Sequence, residues 1–316
     1  MQVNHEGKPF QFYNITPRIQ SRIQAEGMRE GHLRVSVPTT ERSDAIMPFL
    51  FVNEDEPLLM KKDIPEHFAQ CQEQRAPQAT GLEPLLGSPY CLGGFTVPTF
   101  RRTPQEVNLL VSKGTMTLGT YQSVLVAVNG EWSTAAIESM LGPLLQYQRF
   151  PGVGHFHELQ FETDKPDTTG TCVKDLTEHL YSIVKESGVE EGTLVLQDKH
   201  TTTALHTCVW SEVALIAAYL HAAVPKGAYA HDDIKLRQQT DPKCPEGEPP
   251  NARSHMKSMR LPNDLLIPVV GNELLLNALR VVYFDFDGPV NPSRPHKSPC
   301  RTVQSCILPM QRDYHG

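Results

Sequence analysis

The sequence predicts an α+β fold in which strands outnumber helices and one unit occurs twice. Three observations carry this: strand-like apolar runs are more numerous than helical patterns, the runs fall into two sets along the chain, and stretches of the two sets overlay. The first set is "HLRVSVP", "FLFVN", "VNLLVS" and "YQSVLVAVN"; the second is "HELQFET", "GTLVLQD", "LLIPVV" and "LRVVYFDF". Helical periodicity is clearest in "VKDLTEHLYSIVKES" (173–187), where Val173, Leu176, Leu180, Ile183 and Val184 share a stripe. "SEVALIAAYLHAA" (211–223) is apolar nearly all round, and "EPLLMKKDIPEHFAQ" (56–70) is interrupted at Pro65. Stretches 71–94, 240–253 and 289–299 are dense in Pro and Gly and read as insertions or linkers outside the core.

The repeat is visible in two overlays. "GTMTLGTYQSVLVAVN" (114–129) runs without a gap against "GNELLLNALRVVYFDF" (271–286), matching the leading glycines, Leu118 with Leu275, and Val124 with Val281. "HLRVSVPTTERS" (32–43) resembles "TLVLQDKHTTTAL" (193–205), each a strand running into a Thr-Thr turn with a helical segment before it. The joint falls near residues 140–155. The same overlay disposes of a tempting alternative in "VVYFDFDGPV" (281–290), which looks like the strand that delivers a phosphatase nucleophile to magnesium. Asp285 falls opposite Val128, and the short remainder of the chain is Pro-rich, so an Asp-Gly strand turn is expected there instead.

With 316 residues, 39% hydrophobic and 21% charged, the composition is that of a soluble globular protein of two ordinary domains. A net charge of −7 excludes a broad electrostatic grip on nucleic acid or acidic membrane, which needs clustered Lys and Arg. The expected partners are therefore small molecules or proteins. No basic-then-apolar leader opens the sequence and no window reaches the ~18 apolar residues of a membrane span, so a cytoplasmic protein is expected. The 7 cysteines are scattered without a CxxC pair and read as reduced thiols.

Of the 13 histidines, most lie in the second half. His200, His231 and His255 sit in polar settings at strand or loop edges, too far apart in sequence for a local finger. Together with a carboxylate from Asp232 or Asp233 they would suit a divalent metal or a phosphate site, since imidazole ligates metal when neutral and exchanges protons near neutral pH. His206 and His221 read as structural.

Taken in order, "GTLVLQDKHTTTAL", the helix after it, "VPKGAYAHDD", "ARSHMKSMRLPNDLLIPVVGNELLL" and "VVYFDFDGPVNPSR" resemble the landmarks of the YjbQ (UPF0047) family over roughly residues 155–308. Residues 10–130 resemble a worn copy: "PTTERS", with Pro38 for the histidine, stands at the His-Thr turn, and "VNEDEP" (52–57) and "LGTYQ" (118–122) match further landmarks. The resemblance implies two tandem β-rich sandwich domains with a few packed helices, 1–145 degenerate and 146–316 better preserved. It also implies a thiamine-phosphate synthase-type transferase joining two phosphorylated small molecules, and a homo-oligomer, either trimer or pseudo-hexamer. His200, His231, His255 and Asp232 would form the catalytic set, with the three histidines holding Mg or Zn. Thr201, Thr202, Ser254, Lys199, Glu54 and Gln122 would contact substrate, and Lys257 is a further basic candidate. Metal-assisted phosphate-ester hydrolysis would use the same groups with water as acceptor.

Each half departs from the family in a different place. The second has Cys208-Val209-Trp210 where Asn-Glu-Asn is expected and Asn277-Ala278-Leu279 for Thr-Trp-Gln. The first keeps Asn53, Glu54 and Gly119-Thr120-Tyr121-Gln122 but has nothing like the Tyr-x-His-Asp segment. Two expectations follow: a composite site where the copies touch, or a decayed pair surviving as a binding or scaffold protein.

Overall fold

Ile15, Ile19 and Ile23 recur at helical spacing, and Pro17 occupies the first turn, where a missing N–H costs nothing; Thr16–Ala25 accordingly winds as α1 with those isoleucines buried. The computed structural model describes residues 10–37, 49–67, 106–129, 133–151, 154–241, 244, 250–288 and 300–310. The first half orders β1 (Phe10–Asn14), α1, β2 (Gly31–Ser36), β3 (Phe49–Glu54), β4 (Glu106–Ser112), β5 (Thr115–Met116), β6 (Gln122–Asn129), α2 (Thr134–Leu144) and β7 (Gln146–Pro151). The second opens with β8 (His155–Glu162), then β9 (Cys172–Asp175), α3 (Thr177–Ser187), β10 (Glu191–Asp198), β11 (Thr203–Cys208), α4 (Val213–Ala223), α5 (Ile234–Thr240) and α6 (Ala252–Ser258). It closes with β12 (Asp264–Val270), β13 (Glu273–Leu274), β14 (Arg280–Asp285) and β15 (Cys300–Pro309).

Strand order repeats between the halves. Sheets β1-β6-β3 and β5-β4-β2-β7 of the first have counterparts β9-β14-β11 and β13-β12-β10-β15 in the second, where β8 is added beyond β15. Alternating side chains make each half a sandwich. Leu33, Val35, Leu109 and Val111 of the larger sheet share one core with Leu50, Val52, Val124 and Val126 of the smaller. Leu194, Leu196, Ile267 and Val269 do the same with Leu205, Val281 and Tyr283. Because β7 pairs with β2, the sheet of the first half runs through Pro151, beyond the boundary read at 145.

Register refines the overlay. The bonds Ile15 N–H to Val124 O and Leu176 N–H to Val281 O equate Val124 with Val281. Across the hairpins, however, Thr117 N–H donates to Leu110 O where Leu275 N–H donates to Pro268 O, so Leu275 matches Thr117 and not Leu118. The gapless overlay therefore slips by one residue at Leu118. The hairpin turns themselves are alike: Lys113 and Gly114 in one, and Gly271 and Asn272 in the other, all have positive φ, as a two-residue turn that follows the strand twist requires.

Other elements differ from the sequence reading. Residues 172–175 are strand, not the start of a helix, because Asp175 Oδ1 accepts the Thr177 amide and begins α3 there. β1, β7, β11 and β15 are additional strands. Stretch 240–253 is not wholly outside the core, since Asn251 and Ala252 are buried. Stretches 71–94 and 289–299, and the "PTTERS" turn with Pro38, lie outside the described residues. No described helix is long and apolar enough to cross a membrane. No disulfide joins the described cysteines.

The halves meet in two apolar patches. Leu110 of β4 packs with Val195 and Cys306, flanked by Phe156 and Leu308. Phe51, Leu125 and Ala127, on the outer face of the smaller sheet, pack with Leu59, Met60 and Ile64 and with Val224, Met256 and Met259 of the second half. Between these patches Gln197 Oε1 accepts the Leu110 amide at 2.9 Å and the Thr117 hydroxyl at 3.1 Å. Contact is close at Gly119, where a Cβ would run into the Lys199 carbonyl oxygen. Gly119→Ala is thus expected to push the halves apart, at a cost of about 1–3 kcal/mol. Thermal unfolding would read this as a loss of a few degrees, and an unchanged midpoint would contradict the close approach.

Candidate metal centre

The strand pair β3–β6 ends with Glu54 opposite Gln122, and both point at the second half. Gln122 Nε2 donates to the carbonyls of Asp198 at 3.0 Å and His200 at 2.8 Å, while its Oε1 accepts the Gly119 amide at 2.9 Å. Its amide is fully engaged as a strut holding the His200 loop.

Beside it, Asn53 fixes His255. Its Oδ1 accepts the Glu54 amide at 2.7 Å and its Nδ2 donates to His255 O at 3.1 Å, which settles which end of the amide is oxygen. His255 Nδ1, at 2.8 Å from that Oδ1, must then carry the ring proton. Nε2 is left as a bare lone pair, fully buried, without a hydrogen bond and 3.2 Å from Glu54 Oε2. Burial first, then the charges of His231 and Arg237, hold the His255 pKa well below the ordinary imidazole value against the opposing Thr201 carbonyl, so the ring is neutral.

His231 is oriented in the same way. Its Nδ1–H donates to Glu56 Oε2 at 2.9 Å, and its backbone N–H and that of Ala230 donate to Asp63 at 2.7 Å each. Glu56 also accepts the Leu58 and Leu59 amides. Burial pushes the Glu56 pKa up, but the bonds from His231 and those two amides outweigh it and hold it below the usual carboxylate value. Arg237 Nη1 donates to His231 Nε2 at 3.1 Å, and Nη2 donates to Glu54 Oε1 at 2.7 Å. Asn251 Oδ1 also lies 2.9 Å from His231 Nε2, an acceptor pair that a half-turn of the amide converts to a donated N–H.

Glu54, His231 and His255 thus bring one oxygen and two ring nitrogens within 4.8 Å of one another. Two imidazoles and a carboxylate are a ligand set for a divalent transition metal, and each ring donates its other N–H to an oxygen that fixes its orientation, as ligating histidines do. The surroundings are anionic, with Glu56 and Asp63 adjacent, which suits a cation better than a free phosphate.

The remaining sequence-predicted residues stand elsewhere. The charges that act on His200 are those of Arg301, Asp285 and Lys199. Burial first, then Arg301, lowers its pKa to about 4, and its place in the triad is taken by Glu54. Asp232 Oδ1 accepts the Ala252 amide, and Ser254 Oγ donates to Phe286 O. The carbonyls of Thr201 and Thr202 accept from Ser258 Oγ and Phe286 N–H, and Lys199 pairs with Glu158 at 3.5 Å. Lys257 is buried beneath Phe286, its ammonium 5.6 Å from the ring centroid, rather than solvated. Asp285, the phosphatase look-alike, is clamped by Arg301 at 2.7 Å and accepts the Asp287 and Gly288 amides, as an Asp-Gly turn does. The sequence reading missed Glu56, Asp63, Arg237 and Asn251. Glu56 lay in plain view within "VNEDEP", whereas the others carried no local signal.

Residues 158–303 match the sequence model of the UPF0047 protein YjbQ-like family. The match is confined to this segment, just under half of the chain. Solved structures resemble the chain at low identity. One is a YbjQ-like protein of unknown function from Sulfolobus solfataricus P2, 18% identical over 50% of this chain and 99% of that one, with a TM-score of 0.39. Another is an uncharacterized conserved protein of the yjbq/upf0047 family from Clostridium acetobutylicum, 20% identical over 48% and 99%, with a TM-score of 0.36. A hypothetical protein from Aeropyrum pernix K1 is 21% identical over 49% and 99%, with a TM-score of 0.38. No curated protein matches the chain.

The YjbQ-like segment also contains a titrating group behind the His200 loop. Asp198 is fully buried, accepts the His200 amide, the Tyr283 hydroxyl and the Thr203 hydroxyl, and burial raises its pKa to about 7. Stability tied to its neutral form is complete below the ordinary carboxylate pKa and is lost as pH rises through about 7. Asp198→Asn should therefore gain on the wild type as pH rises from 5 to 8.5, by an amount on the order of 3 kcal/mol at most. Denaturant unfolding at the two pH values checks this, and a pH-independent difference would contradict it.

Proposed function

We propose that this protein binds a divalent transition-metal ion through Glu54, His231 and His255, at a centre built jointly by its halves, and uses it on a phosphorylated small molecule. The observation that carries the reading is the bare, buried Nε2 of His255 facing a Glu54 oxygen with nothing donated between them. A metal ion would give the His255 nitrogen the partner it lacks, and zinc fits the nitrogen-rich set better than magnesium. The first half acts in this reading as a second, degenerate YjbQ-like unit, supported by its repeated strand order. The reaction would be group transfer of the thiamine-phosphate synthase type, or phosphate-ester hydrolysis, with the ion polarising a phosphoryl oxygen.

Titration of Zn2+ into the metal-free protein should show one site per chain, weakened about 10–100-fold or more by Glu54→Ala and by His255→Ala. Equal binding by Glu54→Ala would remove the shared centre. Supplying phosphate esters or the paired pyrimidine and thiazole phosphates with Zn2+ separates hydrolysis from transfer by the product formed.

One observation favours the scaffold reading instead: His231 and His255 are fully buried and the Glu54 side chain is only 12% exposed, with Arg237 already paired to it. As a scaffold, the centre would be an ionic lock between halves, and Zn2+ would not bind.

The assembly we propose is a homo-oligomer. Val52 pairs with Val124 and Thr207 with Val281, so Glu54 corresponds to Val209, Asp55 to Trp210 and Gln122 to Leu279. The edge by which the first half docks thus recurs on the second, where Val209, Trp210 and Leu279 are 41%, 48% and 38% exposed. A second copy of the chain is the occupant proposed for it. Mass in solution should exceed that of one chain and fall to it with Trp210→Glu. A monomeric wild type would end this reading.

A further inference from the structure

The guanidinium of Arg237 lies where a metal ion would have to draw its ligands. It spans two of the three ligating side chains, donating to His231 Nε2 at 3.1 Å and to Glu54 Oε1 at 2.7 Å, yet it does not reach His255, and its own Nε is buried without a hydrogen bond. A structural ion pair evolved only to be neutral would leave neither a bare imidazole nitrogen nor an unsatisfied guanidinium N–H in a closed space, since each costs roughly 1–3 kcal/mol. An ion bound to all three ligands would satisfy the imidazole, and an arginine returned to water would satisfy its N–H.

The element that carries Arg237 is suited to letting go. Helix α5 is 7 residues long, and Arg237 is its only buried residue. Lys235, Gln238, Gln239 and Thr240 are exposed, and Ile234 and Leu236 are only part-buried. With Arg237 its one buried side chain, the helix loses little else on opening, so what holds it is the buried ion pair, which an incoming cation replaces. Its start is fixed independently by Asp233, which accepts the Leu236 amide, so the helix can lift with its first turn intact.

We propose that Arg237 is an intramolecular competitor for the cation position: the chain holds its metal centre closed with its own guanidinium, and a divalent ion of the zinc type enters by displacing Arg237 together with α5. This rests on the metal reading above and adds to it a gate. Free protein is then the arginine-closed state, and apparent metal affinity is lower than the ligand set alone would give, by the fraction of molecules in which α5 is lifted. The gate also selects, because only an ion that gains strongly from two imidazoles can displace a paired guanidinium; Mg2+ and Ca2+, which take oxygen ligands, should leave it closed.

The test is Zn2+ binding by calorimetry, with Co2+ absorption as a ligand-geometry check, on the full chain and on Arg237→Met, which retains much of the side-chain volume without the charge. The expected result is affinity raised about tenfold or more in Arg237→Met. That gain should be lost in Arg237→Met/His255→Ala, and Zn2+ should speed amide exchange in α5 of the wild type. Equal Zn2+ affinity in wild type and Arg237→Met overturns the competitor while leaving the metal reading intact. No binding by either protein removes the metal reading, and the competitor with it. Should Arg237→Met fail to fold, exchange in the wild type decides: Zn2+ bound with α5 protection unchanged or increased overturns the proposal.

Discussion

A carboxylate or an imidazole taken out of water must be met by a partner of the right kind, and this requirement organises the contact between the halves. Glu54 and Glu56 end β3 and begin the helical segment after it, facing away from their own core. Their partners across the contact lie in the second half, where Arg237 pairs with Glu54 and His231 donates to Glu56. Breaking such a pair strands a buried charge at a cost of several kcal/mol, far more than a surface ion pair is worth. The halves are therefore held in one register by chemistry as well as by shape, while the apolar patches around Leu110 and Met256 supply the less directional part of the attraction.

The same requirement explains the engagement of residues that a motif reading would assign to substrate. A loop that carries His200 between β10 and β11 leaves carbonyls without ladder partners, and each must find a donor. Gln122, Ser258 and the Phe286 amide supply them. The carbonyls of Thr201 and Thr202 and the hydroxyl of Ser254 are engaged in this bracing.

Much of the fold was legible in the sequence because sandwich strands alternate. Val107, Leu109 and Val111 bury one face of β4, and the inward faces of β6, β10 and β12 read in the same way. What stayed hidden was local structure set by a single side chain, such as Asp175 ending β9 and starting α3, and the β15 strand, whose "CRTVQSCILP" mixes polar and apolar residues because it lies between β10 and β8 in the sheet. The centre was half legible. His231 and His255 were expected to ligate a metal, but with His200 as the third ligand and Glu54 as a substrate contact, and a shared site was one of two expectations drawn from the motifs each half lacks. Arg237 could not be read, because its role depends on α5 folding back across 183 residues of sequence to Glu54.

The contact between the halves also bears on how their two matching edges differ. The β3–β6 edge of the first half meets the histidines of the second through Glu54, whereas the equivalent position in the second half, Val209, is an exposed apolar side chain. An ionised side chain there would gain nothing from a partner, whereas an apolar one gains from any surface that covers it. The exposed Trp210 beside it is the same substitution of driving force, since Asp55 at the matching place in the first half bonds to Asn14. One of the two matching edges carries carboxylates that meet the histidines, and the other carries exposed apolar side chains. Among the described residues the Glu54, His231 and His255 cluster forms at one of these two edges, where histidines stand opposite.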